Sequence, residues 1–204
     1  MKKFLAFFSY IFHPIFIPVY ATLFYFFITN NFFYKHEIYL TFIQVLILTI
    51  LLPLSLFYLL RSLGFLKSKM LDPKERKLPL AIYSLLLLTL IKYSLSIVII
   101  PELYYYFLGM LISAALALML LILGHKASLH MIAISTLILF IISISAYYHI
   151  RFLNLIAFFV VCSGLVASSR LQTKAHTMGE IALGVLIGVI PQVGLWFIWL
   201  LPSV

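Results

Sequence analysis

The feature that most restricts the fold of this chain is a succession of long, nearly uncharged apolar runs separated by short polar breaks. The runs lie at about 5–28, 39–62, 80–100, 104–124, 129–148, 152–168 and 179–201. Each is near the ~20 residues that an α-helix needs to cross the hydrocarbon core of a bilayer. In lipid an unpaired backbone N–H or C=O is too costly to leave, so only helices or closed barrels can span. A barrel requires alternating apolar and polar residues, and these runs are continuous. The expectation is an all-α fold: one polytopic transmembrane bundle of about seven spans, forming a single integral membrane domain over residues 1–204. With 65% of the residues hydrophobic and 9% charged, no stretch is left for a soluble domain larger than a loop.

The formal charge of +9 takes its meaning from that setting. In a membrane protein it points to loop topology and anionic headgroups, hence to membrane lipids as partners and away from nucleic acid. The start, Met1-Lys2-Lys3-Phe4-Leu5, resembles a signal peptide, and Val19-Tyr20-Ala21 loosely resembles a cleavage site. Against cleavage, His13, Pro14 and Pro18 interrupt the apolar region, which then continues through Phe27. The expectation is a retained, proline-kinked first span in which His13 satisfies backbone groups freed by the kinks. The single cysteine, Cys162, can form no intrachain disulfide and says nothing about compartment. Tyr104, Tyr105 and Tyr106 read as an interfacial aromatic belt, and Lys92 as a snorkelling or paired side chain.

With so few charges, clustered ones need a reason. Three polar segments fall on the same side when the spans are counted: Lys69 to Pro79, Ala127-Ser128-Leu129-His130, and Ser169-Arg170 through His176 to Glu180. Together they offer strong cationic donors, a hydroxyl, two histidines and a carboxylate. Phosphate chemistry can use such a set, because phosphoryl transfer asks the protein mainly to position the group and stabilise charge. Arginine matches phosphate oxygens bidentately, and lysine adds a compact charge. Ser128 is placed near a helix amino terminus, which favours anions. A neutral histidine can attack phosphorus, a second can protonate the leaving oxygen, and Glu180 can fix the tautomer of His176 four residues before it.

The three segments resemble the signature of the phosphatidic acid phosphatase type 2 superfamily. That pattern reads Lys-x6-Arg-Pro, then Pro-Ser-Gly-His, then Ser-Arg-x5-His-x3-Asp. This chain has Lys69-x6-Arg76, Ser128-x-His130 and Ser169-Arg170-x5-His176-x3-Glu180 in the same order and register. The likeness covers residues 65–200, with the first two spans outside it. It implies a six-helix phosphatase core with an extra span, and a metal-independent, cofactor-free hydrolase acting on a lipid phosphate or diphosphate. Undecaprenyl diphosphate, phosphatidylglycerophosphate, phosphatidic acid and lipid A are the substrate candidates. By resemblance, Lys69, Arg76 and Arg170 hold the phosphate with help from Ser128. His176 is the nucleophile that forms a phosphohistidine, Glu180 orients it, and His130 is the acid for the leaving group.

Four positions depart from the pattern. Lys77 and Ala127 stand where it has proline, Leu129 where it has glycine, and Glu180 where it has aspartate. A catalytically degenerate member, binding anionic lipid or a partner without turnover, is the alternative, and Leu129 is the residue that would carry it. The resemblance implies a bacterial inner-membrane protein with its site on the periplasmic face and its amino terminus outside. The basic residues argue the other way: Lys2, Lys3, Arg61, Lys67, Lys69, Lys74, Arg76, Lys77, Lys126, Arg170 and Lys174 share the site's side, which the positive-inside rule makes cytoplasmic.

Overall fold

The computed structural model describes residues 2–66 and 73–202. Among them there is no strand, and the chain runs through α1 (Lys2–Ile11), α2 (Ile17–Thr29), α3 (Lys35–Leu46), α4 (Leu52–Ser62), α5 (Pro73–Tyr93), α6 (Pro101–Ile122), α7 (Leu129–Tyr147), α8 (Leu153–Gln172) and α9 (Met178–Trp199). Helices α3 and α4 are continuous, joined by a π-helical turn at Ile47–Leu51. Among the described residues, five helices are long and apolar enough to cross a membrane: Lys35–Ser62 and each of α6 to α9.

Two expected runs are built differently. The first is divided into a 10-residue and a 13-residue helix, each too short to span alone. Pro14 lacks an N–H and stops α1 from continuing, while Pro18 sits in the first turn of α2, where a missing N–H costs nothing. The run expected at 80–100 is helical from Pro73 to Tyr93 and irregular after it. Pro101 opens α6 and holds Ile100 out of the helical region, at φ −134° and ψ 59°.

Prolines also shape the long helices. Pro53 cannot donate to the carbonyl of Thr49, and its ring would press on that group. The ladder widens there, so that the Leu52 amide reaches the Ile47 carbonyl five residues back. Pro79 lies inside α5 and faces the same cavity as Pro53.

The centre of the bundle is α7, whose buried face includes Ile134, Leu137, Phe140, Ile141 and Ile144. Helix α9 crosses it at very short range through Gly184 and Gly188. A Cβ on Gly184 would stand 2.7 Å from the Ser128 carbonyl oxygen, and one on Gly188 would stand 2.6 Å from that of Ile132. Only glycine permits this approach, the usual means by which membrane helices gain packing contacts. Its result is a backbone bond at the helix starts, in which the Ser128 amide donates to the Glu180 carbonyl at 3.1 Å. The first turns of α7 and α9 are thereby locked side by side.

At the other end of the bundle, Glu102 in the first turn of α6 is 3% exposed. It accepts hydrogen bonds from Tyr25 of α2 at 3.0 Å and from Tyr148, just after α7, at 2.8 Å. Glu102→Ala leaves two phenol donors without their acceptor, so it should lower stability by about 1–3 kcal/mol. The unfolding midpoint in detergent should fall while ligand affinity at the opposite end stays unchanged; an unshifted midpoint would contradict the role of this tie.

Candidate active site

The loop between α8 and α9 is short, and both of its ends are capped. Helix α8 closes with Lys174 in the left-handed region, at φ 52°. The Ala175 amide donates to the Arg170 carbonyl at 3.1 Å, and the Lys174 amide to that of Leu171 at 2.9 Å. This paired closure turns the chain sharply at the end of a helix. Helix α9 opens with a capping box. The Glu180 amide donates to Thr177 Oγ1, and the Thr177 amide donates to Glu180 Oε2, both at 3.3 Å. With only five residues between the helices, Arg170 and His176 are held on the same side of the turn.

The carboxylate of the capping box has a second partner. His176 Nδ1 lies 2.7 Å from Glu180 Oε2, with the His176 side chain 7% exposed and that of Glu180 24%. A carboxylate accepts, so Nδ1 carries the proton and donates, and the lone pair of neutral His176 is on Nε2. Burial pushes the His176 pKa below its ordinary value. Glu180 opposes that shift, and the charges of Arg76 and Arg170 reinforce it. Histidine 176 is therefore a neutral, oriented imidazole flanked by two guanidinium groups.

Arg170 is half-buried, and its Nε has no hydrogen-bond partner among the described residues. Its charge reaches His13, His130 and His176. Arg76, near the start of α5, acts electrostatically on both Glu180 and His176. The Ser128 side chain is fully buried at the start of α7, and its Oγ is unpartnered among the described residues. Its amide is committed to Glu180, so the hydroxyl is what Ser128 has left to offer. The neighbouring Ser169 hydroxyl is buried and unpartnered in the same way. Unpaired buried donors of this kind are costly, and their concentration at one end of the bundle fits a site built for a polar ligand.

His130 stands one residue into α7, and its Nε2 lies 3.2 Å from the Ser9 carbonyl oxygen. A carbonyl only accepts, so Nε2 holds a proton and Nδ1 is the nitrogen left for chemistry. Leu129 occupies the first position of α7 in ordinary helical geometry. Among the described residues only His149 and Lys174 have positive φ without being glycine, so nothing in the backbone here demands glycine.

Of the seven residues singled out in the sequence, Arg76, Ser128, His130, Arg170, His176 and Glu180 come together at one end of the bundle. Lys69 lies outside the described residues. Reading the sequence missed Thr177, although Thr-x-x-Glu before an apolar run is a recognisable helix start. It also missed that Ser9 and His13 contact His130, for which the amino-terminal segment carries no spacing signal. No group of three or more His, Cys, Asp or Glu among the described residues is placed to hold a metal ion.

In comparisons with protein-family models, curated proteins and solved structures, the chain matches none. The class that the fold and site define is therefore a coarse one: an all-helical protein with several helices able to cross a membrane, carrying a histidine–carboxylate pair and two arginines at one end.

Proposed function

We propose that this protein is a membrane-embedded phosphatase that hydrolyses a lipid phosphate or diphosphate through a phosphohistidine. The observation that carries this reading is the His176–Glu180 pair at 2.7 Å, within reach of the charge of Arg170, whose buried Nε has no hydrogen-bond partner among the described residues. In this scheme Arg76 and Arg170 hold the non-bridging oxygens, with Lys69 assigned to the same task by the resemblance. His176 Nε2 attacks phosphorus, and the bond to the lipid-side oxygen breaks with its electron pair. That oxygen takes a proton from Nδ1 of His130 and departs. His130 is protonated in the complex, where the negative charge of the bound phosphate offsets that of Arg170. Water then opens the phosphohistidine, returns a proton to His130 and releases inorganic phosphate.

The substrate's headgroup lies at the interface and its chain stays in the bilayer, which suits a site at helix ends. We read α1 with α2 as one interrupted span and α5 as another, bringing the total to seven. The proposed setting is a bacterial inner membrane, with the site and the amino terminus on the periplasmic face. A cysteine introduced at exposed Lys174 would report its side through impermeant labelling of intact cells, because the native Cys162 is buried.

The test is phosphate release by purified protein from undecaprenyl diphosphate, phosphatidylglycerophosphate, phosphatidic acid and lipid A, without added metal. Release from at least one supports the enzyme. Tight binding of these lipids with no release from any would favour the degenerate alternative.

The acid limb of the rate profile follows from the His176 environment. The nucleophile must be neutral, and its lowered pKa keeps it so below the ordinary histidine range near 6.5. Activity should therefore persist into mildly acid solution. Arg170→Met removes a charge that lowers the pKa, so its residual activity should show an acid limb at higher pH. A limb unmoved, or moved to lower pH, would contradict the electrostatic assignment.

A further inference from the structure

His13 sits in the turn between α1 and α2, far in sequence from the three motifs. Its Nδ1 accepts a hydrogen bond from the Ile15 amide at 3.4 Å, so the ring does satisfy a backbone group at the proline break. That bond also fixes the tautomer. An Nδ1 that accepts is unprotonated, so neutral His13 carries its proton on Nε2. Nε2 is the distal nitrogen, and it has no protein partner among the described residues.

The ring packs against the candidate site. It meets His130 edge to face, with centroids 5.2 Å apart and an interplanar angle of 84°. The charge of Arg170 reaches both rings. His13 also lines a cavity of about 290 Å³, whose remaining walls are apolar or aromatic, among them Pro53, Phe57, Pro79 and Tyr83. The imidazole thus borders both an apolar cavity and the cationic end of the bundle. The Ser9 carbonyl from the last turns of α1 grips His130 as well, so the α1–α2 break is folded around that residue.

We infer that His13 is a further catalytic residue, whose Nε2–H donates a hydrogen bond to the oxygen joining phosphorus to the lipid. This rests on the phosphatase reading above. As the P–O bond breaks, its electron pair moves to that oxygen, the proton comes from His130, and His13 stabilises the transient charge without giving up its own proton. The same chemistry serves the ester oxygen of a lipid monophosphate and the bridging oxygen of a diphosphate.

The test compares His13→Phe and His13→Gln on a lipid phosphate and on p-nitrophenyl phosphate. Phenylalanine keeps the ring and loses the donor; glutamine places an amide N–H near the position of Nε2. His13→Phe should lose about 10²-fold in kcat/KM on the lipid. His13→Gln should stay within about tenfold of wild type, since it keeps one donor. On p-nitrophenyl phosphate, whose leaving oxygen needs little help, the loss for His13→Phe should be at least about tenfold smaller. Equal losses on both substrates, or no loss on the lipid, would overturn the inference while leaving the phosphatase intact. Wild-type protein that hydrolyses neither substrate would overturn the phosphatase reading and this inference with it.

Discussion

Replacing His176 with alanine should reduce phosphate release by at least about 10³-fold, the scale seen when a nucleophile that works through an oriented pair is removed. The argument is geometric. Glu180 Oε2 holds the Nδ1 proton of His176, so the reacting lone pair is on Nε2, and no other described imidazole has a carboxylate behind it. Glu180→Gln should cost about 10²–10⁴-fold, because a neutral amide no longer enforces that tautomer or stabilises positive charge on the ring. The two effects should not add. Once His176 is gone Glu180 has nothing to orient, so the double variant should be no slower than His176→Ala alone. Brief reaction with a radiolabelled lipid phosphate, quenched in base, should trap label on wild type and none on His176→Ala. Substantial turnover by His176→Ala would remove His176 from the chemistry.

Arg170 carries the second large effect, and it separates function from stability. Arg170→Met should lose about 10²–10³-fold in kcat/KM, comparable with deleting a preorganised charge donor. Arg170→Lys should recover only part of this, since an ammonium cannot reproduce the planar fork on phosphate oxygens. The fold should respond in the opposite direction. Arg170 is held half-buried with an unpartnered Nε, and its charge lies among three histidines rather than against a carboxylate. Removing it should raise the unfolding midpoint, as happens where a site is kept at a cost to stability. Orthovanadate or phosphate should stabilise the wild type, by about 2.7 kcal/mol at a hundred times its Kd, and should do little for Arg170→Met. A variant that is both inactive and less stable, with its anion response intact, would make Arg170 a structural residue.

Legibility differs sharply from one part of the chain to another. His176 and Glu180 were readable because His176 immediately precedes the N-cap Thr177 and Glu180 lies in the first turn of α9, so a short capped turn leaves little room to separate them. Arg170 was readable for a related reason: a short capped turn cannot separate residues only six apart. The meeting of α7 and α9 was not readable, because it depends on Gly184 and Gly188 approaching backbone carbonyls of another helix, and glycine in an apolar run has many other uses. Nor was the tie between Glu102, Tyr25 and Tyr148, whose members lie 77 and 46 residues apart. His13 was noticed as polar in an apolar run and assigned to the proline break. Its Ile15 contact agrees with that assignment, while its contact with His130 comes from chain direction after the break.

The sequence by itself determined that the chain is helical and suited to a membrane, and which polar residues lie at helix ends. Backbone groups in lipid must pair locally, and local pairing follows from runs, prolines and caps. Counting spans already put Arg76, Ser128, His130 and the His176–Glu180 pair on one side; tertiary structure alone decided that they come within reach of one another there, and that the α1–α2 break closes on His130. Those outcomes depend on how near two helices can approach. That distance is set by the volume of side chains on both of them, glycine above all, and neither helix specifies it alone.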